Sequence, residues 1–397
     1  MRLSALPVTL GRLLPATLTA CALLISPVQA QQQALPESMV PSPPGLAASS
    51  WLLMDANSGE VLVEHEADQP LPPASLTKMM TAYIVEREID DNRISPEDQV
   101  NISENAWRTG GSRMFIKEGT QVGVEELLKG VVIQSGNDAS VALAEHIAGS
   151  ESAFADLMNQ QAQRLGMSNS HFVNATGLPH ENHYASAKDL AILAKHIIKD
   201  YPDHYDTYSE KYFTYNGIRQ PNRNRLLWRD PSVDGLKTGH TEAAGYCLVA
   251  SAKKDETRLI AVVMGTKSDE ARAQEAQKLL SYGFRFFETF KLYDGGAVLD
   301  KPRVWGGEKD TLRLGVSEDV YLTAPQGKRD SMTARLDIQD TIKAPIEAGQ
   351  RLGTLKVQLG DEVVKEQPLI ALESIPEGGF FKRIWDNIVL FVTGLFN

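Results

Sequence analysis

The spacing of apolar residues predicts a first domain whose strands come from both ends of its sequence. Residues 50–55 and 60–65 are short, mainly apolar runs on either side of the turn-rich spacer Ala56-Asn57-Ser58-Gly59, and they predict a β-hairpin. Near the other end, alternating and β-branched residues predict three further strands, at residues 232–239, 245–253 and 258–265. This arrangement indicates one antiparallel sheet built from both ends of the domain.

The segment between these strands has apolar residues at helical spacing. Helices are predicted at residues 124–134, 139–148, 152–165 and 187–198, and a closing helix at about 268–289. Because the first four of these helices form one run between the early and the late strands, we expect the helices to pack on the faces of a sheet that the strands form together. The predicted fold of residues 50–290 is therefore α+β, a five-stranded antiparallel sheet with helices.

Residues 291–374 have a different character from the chain before them. Short alternating runs such as residues 320–324, 332–338 and 354–359 are separated by Gly and Pro, which predicts a small, separate all-β domain. The segment contains no cluster of candidate catalytic residues. We therefore expect it to be a spacer or an interaction module.

The last segment, residues 375–397, predicts an amphipathic helix that begins after a Pro- and Gly-rich break. From Phe380 onward, large apolar residues fill one half of the helix and polar residues the other, with only Leu390 out of place. Such a helix packs either on the protein's own core or on a membrane surface, and its Trp and Phe content favours the membrane. Its longest apolar run, residues 388–392, is far shorter than the roughly twenty residues that span a bilayer.

The N-terminus has the features of a secretory signal peptide. Arg2 and Arg12 accompany an apolar stretch that ends at the small-x-small site after Ala30, so residues 1–30 are excluded from the fold. Residues 31–49 are rich in Gln, Pro, Ser and Ala and predict a flexible leader. Lipidation of Cys21 is an alternative form of processing, although the apolar run continues past it.

Charge and cysteine content narrow the function classes further. Removal of residues 1–30 changes the formal charge from −11 to −13, because that segment has two arginines and no acidic residue. A chain this acidic is not expected to bind nucleic acid or anionic lipid by bulk electrostatics. Cys247 would be the only remaining cysteine, which excludes an intrachain disulfide. We expect a periplasmic protein, held at the inner membrane by its C-terminal helix.

A candidate nucleophile and base lie in Pro-Pro-Ala-Ser-Leu-Thr-Lys, residues 72–78, at a predicted helix start. At positions i and i+3 of a helix, Ser75 Oγ and Lys78 Nζ come within reach of each other, and a neutral amine can take the serine proton. Because lysine is normally charged at pH 7, this requires burial or a second cation. A second match, Ser251 and Lys254, lies in a predicted strand, where the two side chains point to opposite faces.

Two further motifs offer partners for Lys78. Ser135-Gly136-Asn137 falls in the break between two predicted helices, where a hydroxyl and an amide can face a cleft; alone, it also fits a turn or a helix cap. Lys237-Thr238-Gly239 lies on a predicted strand, and its glycine allows a bound backbone to approach closely. The order of the three motifs, on a helix start, a loop and a strand, argues against coincidence.

This set of motifs resembles that of penicillin-binding proteins and serine β-lactamases. The longer pattern is similar to that of the low-molecular-mass D-alanyl-D-alanine carboxypeptidases, serine peptidases of the S11 type. Its segments are Pro-Ala-Ser-Leu-Thr-Lys, Ser-Gly-Asn-Asp-Ala, His-Tyr-Ala-Ser-Ala-Lys-Asp-Leu from His183, Lys-Thr-Gly-His-Thr and Gly-Phe-Arg-Phe-Phe-Glu. The resemblance covers essentially the whole mature chain. It implies a transpeptidase-like catalytic domain that removes the terminal D-alanine from peptidoglycan pentapeptide stems in cell-wall maturation, covalent inhibition by β-lactams, and no cofactor.

The resemblance also implies roles for individual residues. Ser75 would attack the carbonyl of the penultimate D-alanine, and Lys78 would take its proton. Lys237 as the second cation, with Ser135 and Asn137, would keep Lys78 able to lose its charge, relay the proton and orient the substrate.

Other residues would bind the charged groups of the substrate. Backbone N–H groups of Ser75 and His240 would form the oxyanion hole. Thr238, His240 and Arg272 would bind the terminal carboxylate, although a lone helical arginine such as Arg272 is also compatible with a solvated side chain.

Several alternatives remain at this point. A β-lactamase on the same fold needs a glutamate that activates the deacylating water, and no Glu-x-x-Leu-Asn segment lies between Asn137 and Lys237. A DD-endopeptidase that cleaves crosslinks, and an envelope scaffold whose cleft only binds, are the others. His180 and His183 have no third ligand nearby in the sequence, so we predict no metal site.

Overall fold

The computed structural model describes residues 40–394, so the predicted signal peptide, residues 31–39 of the leader and the last three residues lie outside the described part. The chain divides into two compact units, with the division between Thr289 and Phe290. Each unit has its own sheet and core.

The first unit, residues 42–289, contains both helices and strands. Its helices are α1 (Lys78–Asp90), α2 (Glu104–Arg108), α3 (Val124–Ile133), α4 (Asn137–Ala148), α5 (Glu151–Leu165), α6 (Ala187–Asp200), α7 (Pro202–Tyr205), α8 (Leu226–Arg229) and α9 (Asp269–Phe286). Its strands are β1 (Ser50–Asp55), β2 (Val61–His65), β3 (Gln99–Asn101), β4 (Gln121–Gly123), β5 (Tyr212–Tyr215), β6 (Ile218–Pro221), β7 (Val233–Thr241), β8 (Gly245–Lys254) and β9 (Thr257–Thr266).

The central sheet has five antiparallel strands in the order β2-β1-β9-β8-β7, which confirms the predicted fold class. Alternate residues serve opposite faces of the sheet, as the strand pleat requires. Leu52 and Ile260 pack in the main helical core. Leu53 and Leu259 face α9, where Gly283 allows close packing because a Cβ there would lie 2.5 Å from a Leu259 methyl carbon.

The helices begin where serines can cap them. α2, α5, α6 and α9 each follow a serine whose hydroxyl oxygen accepts a hydrogen bond from a backbone N–H of the first turn. The closing helix α9 ends at Phe286, short of the predicted residue 289. The backbone becomes extended at Phe287, and Thr289 is fixed there because its hydroxyl donates to Asp55 Oδ2 over 2.7 Å.

The second unit is built mainly from short strands. They are β10 (Phe287–Tyr293), which begins at the end of the first unit, β11 (Val298–Asp300), β12 (Val304–Trp305), β13 (Leu314–Gly315), β14 (Val320–Pro325), β15 (Met332–Ile338), β16 (Ile342–Lys343), β17 (Arg351–Leu359) and β18 (Glu362–Ala371). The largest sheet has the order β11-β13-β18-β17-β15 around a core of aliphatic residues. The predicted all-β character of this segment is confirmed.

A terminal helix, α10 (Phe380–Gly394), is attached to this unit through polar contacts. Asp386 is buried, and its Oδ2 accepts a hydrogen bond from the Gly306 N–H over 2.9 Å. Lys382 pairs with Asp310 and Asp386. The apolar residues with large exposed fractions are Phe380, Phe381, Ile384, Trp385, Ile388, Phe391 and Val392. Within residues 40–394, no helix is both long and apolar enough to span a bilayer.

A buried carboxyl in α1 predicts a pH-dependent stability. Glu86 is 1% exposed and accepts a hydrogen bond from the Tyr208 hydroxyl, and burial raises its pKa to about 8 from an ordinary value near 4.5. The folded protein therefore holds a proton that the unfolded chain releases, and stability falls as pH rises from about 4.5 to about 8. Between pH 4.5 and pH 7, we expect the wild type to lose on the order of 3 kcal/mol of stability that Glu86→Gln does not lose, because glutamine does not ionise.

Thermal or denaturant unfolding at several pH values checks this expectation. The stability difference between Glu86→Gln and the wild type should be small near pH 4.5 and grow up to about pH 8. Glu118→Gln, at an exposed position, is the matched control and should show no such trend. A difference that does not change with pH would contradict a neutral, buried Glu86.

Candidate active site

Ser75 and Lys78 lie where a tight turn passes into a helix. A 3-10 turn at Ala74–Thr77 leads directly into α1, so that Ser75 is in the turn and Lys78 is the first residue of the helix. The structure brings the two side chains together: Lys78 Nζ lies 3.0 Å from Ser75 Oγ.

The second Ser-x-x-Lys match has no such geometry. Ser251 and Lys254 lie on β8; the Ser251 hydroxyl is buried and accepts a hydrogen bond from Arg258 over 2.8 Å. The Lys254 amine lies 4.5 Å from the ring centre of Phe284. The strand therefore separates the pair, as its pleat predicts.

The Lys78 amine has two further neighbours, and together they fix the direction of its lone pair. Asn137 Oδ1 lies 2.7 Å from Nζ, and the Thr176 carbonyl oxygen lies 2.6 Å from it. Asn137 Nδ2 donates to the Gly110 carbonyl over 2.6 Å, so the amide oxygen is the atom that faces the lysine. Both oxygens can only accept, and a neutral amine has two N–H groups. The third direction, toward Ser75 Oγ, is left for the lone pair.

Burial favours the neutral form of the Lys78 amine. Lys78 is 1% exposed, and burial is the main reason why its pKa falls from about 10.5 to about 7. The positive charge of Arg223 lowers the pKa further, whereas Asp138 and Glu151 raise it. The family resemblance implies Lys237 as the second cation, and its repulsion with Lys78 is mutual. Arg223, which none of the motifs includes, is a further cation that lowers the pKa of Lys78.

Lys237 and Ser135 form a second amine and hydroxyl pair. Lys237 Nζ lies 2.9 Å from Ser135 Oγ and donates to the Thr238 carbonyl over 3.0 Å. Burial lowers the pKa of Lys237 well below its ordinary value, and the charge of Lys78 lowers it further. Because each positive charge disfavours the other, the site favours a state with fewer protons than two free lysines would hold.

The break between α3 and α4 holds Ser135 in an uncommon backbone conformation. Its φ is +64°, in the left-handed region that few residues other than glycine adopt. The start of α4 fixes the surrounding loop: Asp138 carboxylate oxygens accept from the N–H groups of Met114 and Phe115, each over 2.8 Å. The Asn137 N–H donates to the Ser112 carbonyl. Such strain at a fixed loop is typical of functional sites.

β7 packs directly against the turn that carries the nucleophile. A Cβ at Gly239 would lie 2.9 Å from the Pro73 carbonyl oxygen and 3.3 Å from Ala74 Cβ. The glycine thus allows the close approach of the protein's own turn, a role that differs from the predicted approach of a bound backbone. Next along the strand, the His240 imidazole stacks on Tyr246 with 3.9 Å between ring centres.

A cleft of about 460 Å³ is lined by the predicted hydroxyl groups and by cations. The lining residues used below are Ser75, Ser135, Thr238, His240, Arg223 and Arg272. Lys78, Asn137 and Lys237 lie behind this lining and contact it through the hydrogen bonds given above. The excess of positive charge suits the cleft to an anionic ligand.

The two arginines differ in what already engages them. Arg272, on α9, is 7% exposed, donates to the Gly239 carbonyl over 3.2 Å and pairs with Asp269, so the alternative of a solvated side chain is excluded. Arg223 donates through Nε to the Gln134 carbonyl over 3.2 Å and has no acidic partner among residues 40–394. Arg223 is therefore the cation with more of its guanidinium left for a ligand.

The motifs also gave no sign of Thr176. Its contribution is a backbone carbonyl, which every residue has, and it comes from a loop far from Lys78 in the sequence. In the next position, Gly177 has a φ of +83°, and a Cβ there would lie 1.8 Å from the Ala74 carbonyl oxygen. This glycine was the available signal that the loop lies against another backbone.

The site has the chemistry of a serine acyl transferase. Within the described residues, no group of three or more His, Cys, Asp or Glu side chains is placed to hold a metal ion. A buried amine and two hydroxyls are suited to forming an ester between a serine and a substrate carbonyl, and the cationic cleft is suited to a free carboxylate at the end of that substrate.

Comparisons with known proteins agree with this chemistry. Residues 37–268 match the family described as D-alanyl-D-alanine carboxypeptidase, and residues 287–377 match the penicillin-binding protein 5 C-terminal domain. The chain is 45% identical to D-alanyl-D-alanine carboxypeptidase DacC of Escherichia coli over 355 residues, which cover 87% of this chain and 89% of the relative.

Solved structures of penicillin-binding proteins are also similar to this chain. Penicillin-binding protein 5 from Haemophilus influenzae aligns with a TM-score of 0.81 at 43% identity, over 85% of this chain and 99% of that chain. Penicillin-binding protein D2 from Listeria monocytogenes, in its ampicillin-bound form, aligns with a TM-score of 0.57 at 31% identity, over 62% of this chain and 100% of that chain. On this sequence and structural similarity, the chain belongs to the D-alanyl-D-alanine carboxypeptidase family of penicillin-binding proteins.

Proposed function

We propose that this carboxypeptidase removes the terminal D-alanine from peptidoglycan pentapeptide stems through an acyl-enzyme on Ser75. The observation that supports this most is the arrangement around the Lys78 amine. Its two N–H groups are directed to Asn137 and Thr176, and its lone pair is left for the Ser75 hydroxyl.

Acylation follows from that arrangement. Lys78 Nζ takes the Ser75 proton while Ser75 Oγ attacks the carbonyl carbon of the penultimate D-alanine, and backbone N–H groups of Ser75 and His240 receive the developing oxyanion. The C–N bond then breaks, the proton that Lys78 accepted passes through Ser135, which is hydrogen-bonded to Lys237, to the leaving nitrogen, and free D-alanine departs, which leaves Lys78 neutral again. Water hydrolyses the ester, which restores the serine and releases the shortened stem.

The cationic side of the cleft is suited to the terminal carboxylate of the substrate. Thr238 and His240 present polar groups on the lining, and Arg272 supports the strand through the Gly239 carbonyl. Because Arg223 has no acidic partner within residues 40–394, we propose it as the guanidinium that binds the carboxylate directly.

The same residues account for penicillin binding. A β-lactam offers an amide carbonyl close to a carboxylate, so it fits the same nucleophile and the same cations. Its leaving nitrogen stays covalently attached to the acyl group after the ring opens, so the leaving group remains in the cleft. We propose that β-lactams acylate Ser75 and are released slowly.

The decisive experiment measures free D-alanine from a peptide that ends in D-Ala-D-Ala. The wild-type protein should release D-alanine and be labelled by fluorescent penicillin, and Ser75→Ala should do neither. Ser251→Ala is the matched control, because Ser251 belongs to the second motif and should leave both reactions intact. No D-alanine release by the wild type would overturn the proposal.

The same proteins, assayed also for penicillin hydrolysis and for cleavage of crosslinked dimers, separate the alternatives. Rapid turnover of penicillin would indicate a β-lactamase, and cleavage of crosslinked dimers in preference to pentapeptides would indicate an endopeptidase. Binding without any Ser75-dependent reaction would indicate a scaffold.

We also propose a periplasmic location with α10 on the inner-membrane surface. The signal peptide predicted from the sequence supports export. The polar half of α10 contacts Gly306 and Asp310, while its apolar half is exposed. The large Trp and Phe side chains suit the interface between headgroups and acyl chains.

Deletion of residues 380–397 should release the protein from membranes. A sharper test is the pair Phe381→Ser and Phe391→Ser, which should weaken binding to neutral lipid vesicles, with Asn387→Ser on the polar half as the control. Because the binding is apolar, high salt should have little effect. Continued sedimentation of the truncated protein with membranes would count against α10 and favour lipidation at Cys21.

A further inference from the structure

We propose that His183 is a positioning residue that holds the nucleophile and its base through Thr77. This inference rests on the proposed function, because the site that it positions is the acylation site at Ser75 and Lys78. The histidine itself does not line the cleft that holds those cations and hydroxyls.

The contact to Thr77 is short and buried. His183 Nε2 lies 2.7 Å from Thr77 Oγ1; Thr77 is fully buried, and His183 is 4% exposed. Thr77 lies between Ser75 and Lys78 in the sequence and is the last residue of the 3-10 turn before α1. A displacement of Thr77 therefore moves the backbone on both sides of it, at the nucleophile and at the base.

The second ring nitrogen fixes the direction of this hydrogen bond. The Val173 N–H donates to His183 Nδ1 over 3.2 Å, so Nδ1 carries a lone pair and not a hydrogen. In the neutral ring the hydrogen is then on Nε2, which donates to Thr77 Oγ1. A doubly protonated ring would lose the contact with Val173.

The surroundings keep the ring neutral. Burial lowers the pKa of His183 to about 4, and the ionisable groups that act on it, His171, His180 and Lys78, lower the pKa further. At pH values at which the enzyme is folded and Lys78 can be neutral, His183 therefore has one fixed tautomer and one fixed pair of partners.

His183 thus joins the two structures that hold Lys78. Thr77 belongs to the turn and helix from which Lys78 projects, and Val173 belongs to the loop whose Thr176 carbonyl accepts one N–H of the lysine. Gly177, in the same loop, lies against the Ala74 carbonyl. A neutral imidazole between the two segments sets the distance from carbonyl to amine, and so the direction of the amine lone pair.

The simpler explanation is a histidine that only fills the core. Its ring does pack edge-on against Phe172, with 5.7 Å between centres. A purely structural role predicts lower stability in variants but an unchanged reaction at each folded site. The two roles are therefore separated by a rate measured per folded active site.

The test uses two matched pairs of variants in the full chain. His183→Phe keeps an aromatic ring and removes both hydrogen bonds, whereas His183→Gln offers an amide oxygen to Val173 and an amide N–H to Thr77. Thr77→Val removes the hydroxyl, and Thr77→Ser keeps it. For each, we would measure the rate constant for acylation by fluorescent penicillin, its pH dependence and the thermal unfolding midpoint, with active sites counted by the labelling endpoint.

We expect His183→Phe and Thr77→Val to slow acylation by about tenfold or more, as a small misplacement of reacting groups does. The acid side of their pH–rate profiles should move to higher pH. A loosened loop desolvates Lys78 less well, so the pKa of the amine rises toward its ordinary value. His183→Gln and Thr77→Ser should keep most of the wild-type rate.

Two results would overturn this proposal while leaving the proposed function intact. The first is an unchanged rate per folded site and an unchanged pH profile in His183→Phe, with only a lower unfolding midpoint. The second is an equal loss of rate in His183→Gln and His183→Phe. A wild-type protein that penicillin does not acylate at Ser75 would instead overturn the proposed function, and this inference with it.

Discussion

Replacing Lys78 with arginine is expected to slow acylation of Ser75 by about 10²–10⁴-fold, the usual contribution of a positioned general base. Arginine keeps a long cationic side chain, but its guanidinium stays protonated and has no lone pair that could accept the serine proton. The measurement is the rate constant for labelling by fluorescent penicillin, with folding checked by thermal unfolding. Lys254→Arg, in the second Ser-x-x-Lys match, is the control and should react like the wild type.

The role of Lys78 as a base also predicts how the acylation rate changes with pH. Burial lowers the pKa of Lys78 to about 7, and only the neutral amine can accept a proton, so the wild-type rate should fall below about pH 7. Well below that pH the loss should approach about tenfold per pH unit. A Lys78→Arg protein as fast as the wild type, or a wild-type rate that does not change across this range, would contradict Lys78 as the base.

Gly177→Ala is expected to be the most damaging conservative substitution in the loop opposite the nucleophile. A Cβ at this position would lie 1.8 Å from the Ala74 carbonyl oxygen, 2.4 Å from its carbon and 2.8 Å from Thr77 Oγ1. The neighbours are mostly backbone and cannot rotate away, so the loop must move off the turn. We expect a roughly 10²-fold slower acylation, because a shift of about 1 Å is enough for such a loss, together with a lower unfolding midpoint.

Gly166→Ala separates the clash from the backbone strain. Gly166 has a similarly positive φ of +77°, but a Cβ there would meet nothing within 4 Å. The control should therefore show only the strain of a left-handed alanine, about 1–2 kcal/mol, and the wild-type acylation rate at each folded site. Equal rates in Gly177→Ala and Gly166→Ala would contradict the assigned contact.

The sequence predicted those parts of the structure that depend on local spacing. The hairpin of β1 and β2, the helices α3 to α6 and the strands β7 to β9 follow from periods of two and of about 3.6 residues, which side-chain burial imposes directly. The contact between Ser75 and Lys78 is of the same kind, since one turn of backbone separates the two residues.

The parts that escaped prediction depend on contacts between distant segments. The Thr176 carbonyl reaches Lys78 from a loop 98 positions away, and backbone carbonyls leave no mark in a sequence. Arg223 acts on Lys78 through charge alone, and an arginine in a polar loop is normally solvated. The end of α9 was also misplaced, because the contact between Thr289 and Asp55 that favours strand lies outside the local pattern.

The structure changes the roles that the sequence indicated for Arg272 and Gly239. The sequence left open whether Arg272 is solvated, and the structure buries it against the Gly239 carbonyl. Gly239 was expected to admit a ligand, and it admits the Ser75 turn. Both residues therefore shape the strand at the cleft.

The two acceptors that hold the Lys78 amine, Asn137 Oδ1 and the Thr176 carbonyl, belong to the protein and not to the substrate. When Ser75 Oγ becomes an ester oxygen it has no proton left to give, yet both acceptors keep their hydrogen bonds and the amine keeps its orientation. A water molecule that enters beside the ester would find the lone pair of the Lys78 amine already directed toward it. We expect one lysine to serve both halves of the catalytic cycle in turn, so that the enzyme regenerates itself with the group that started the reaction.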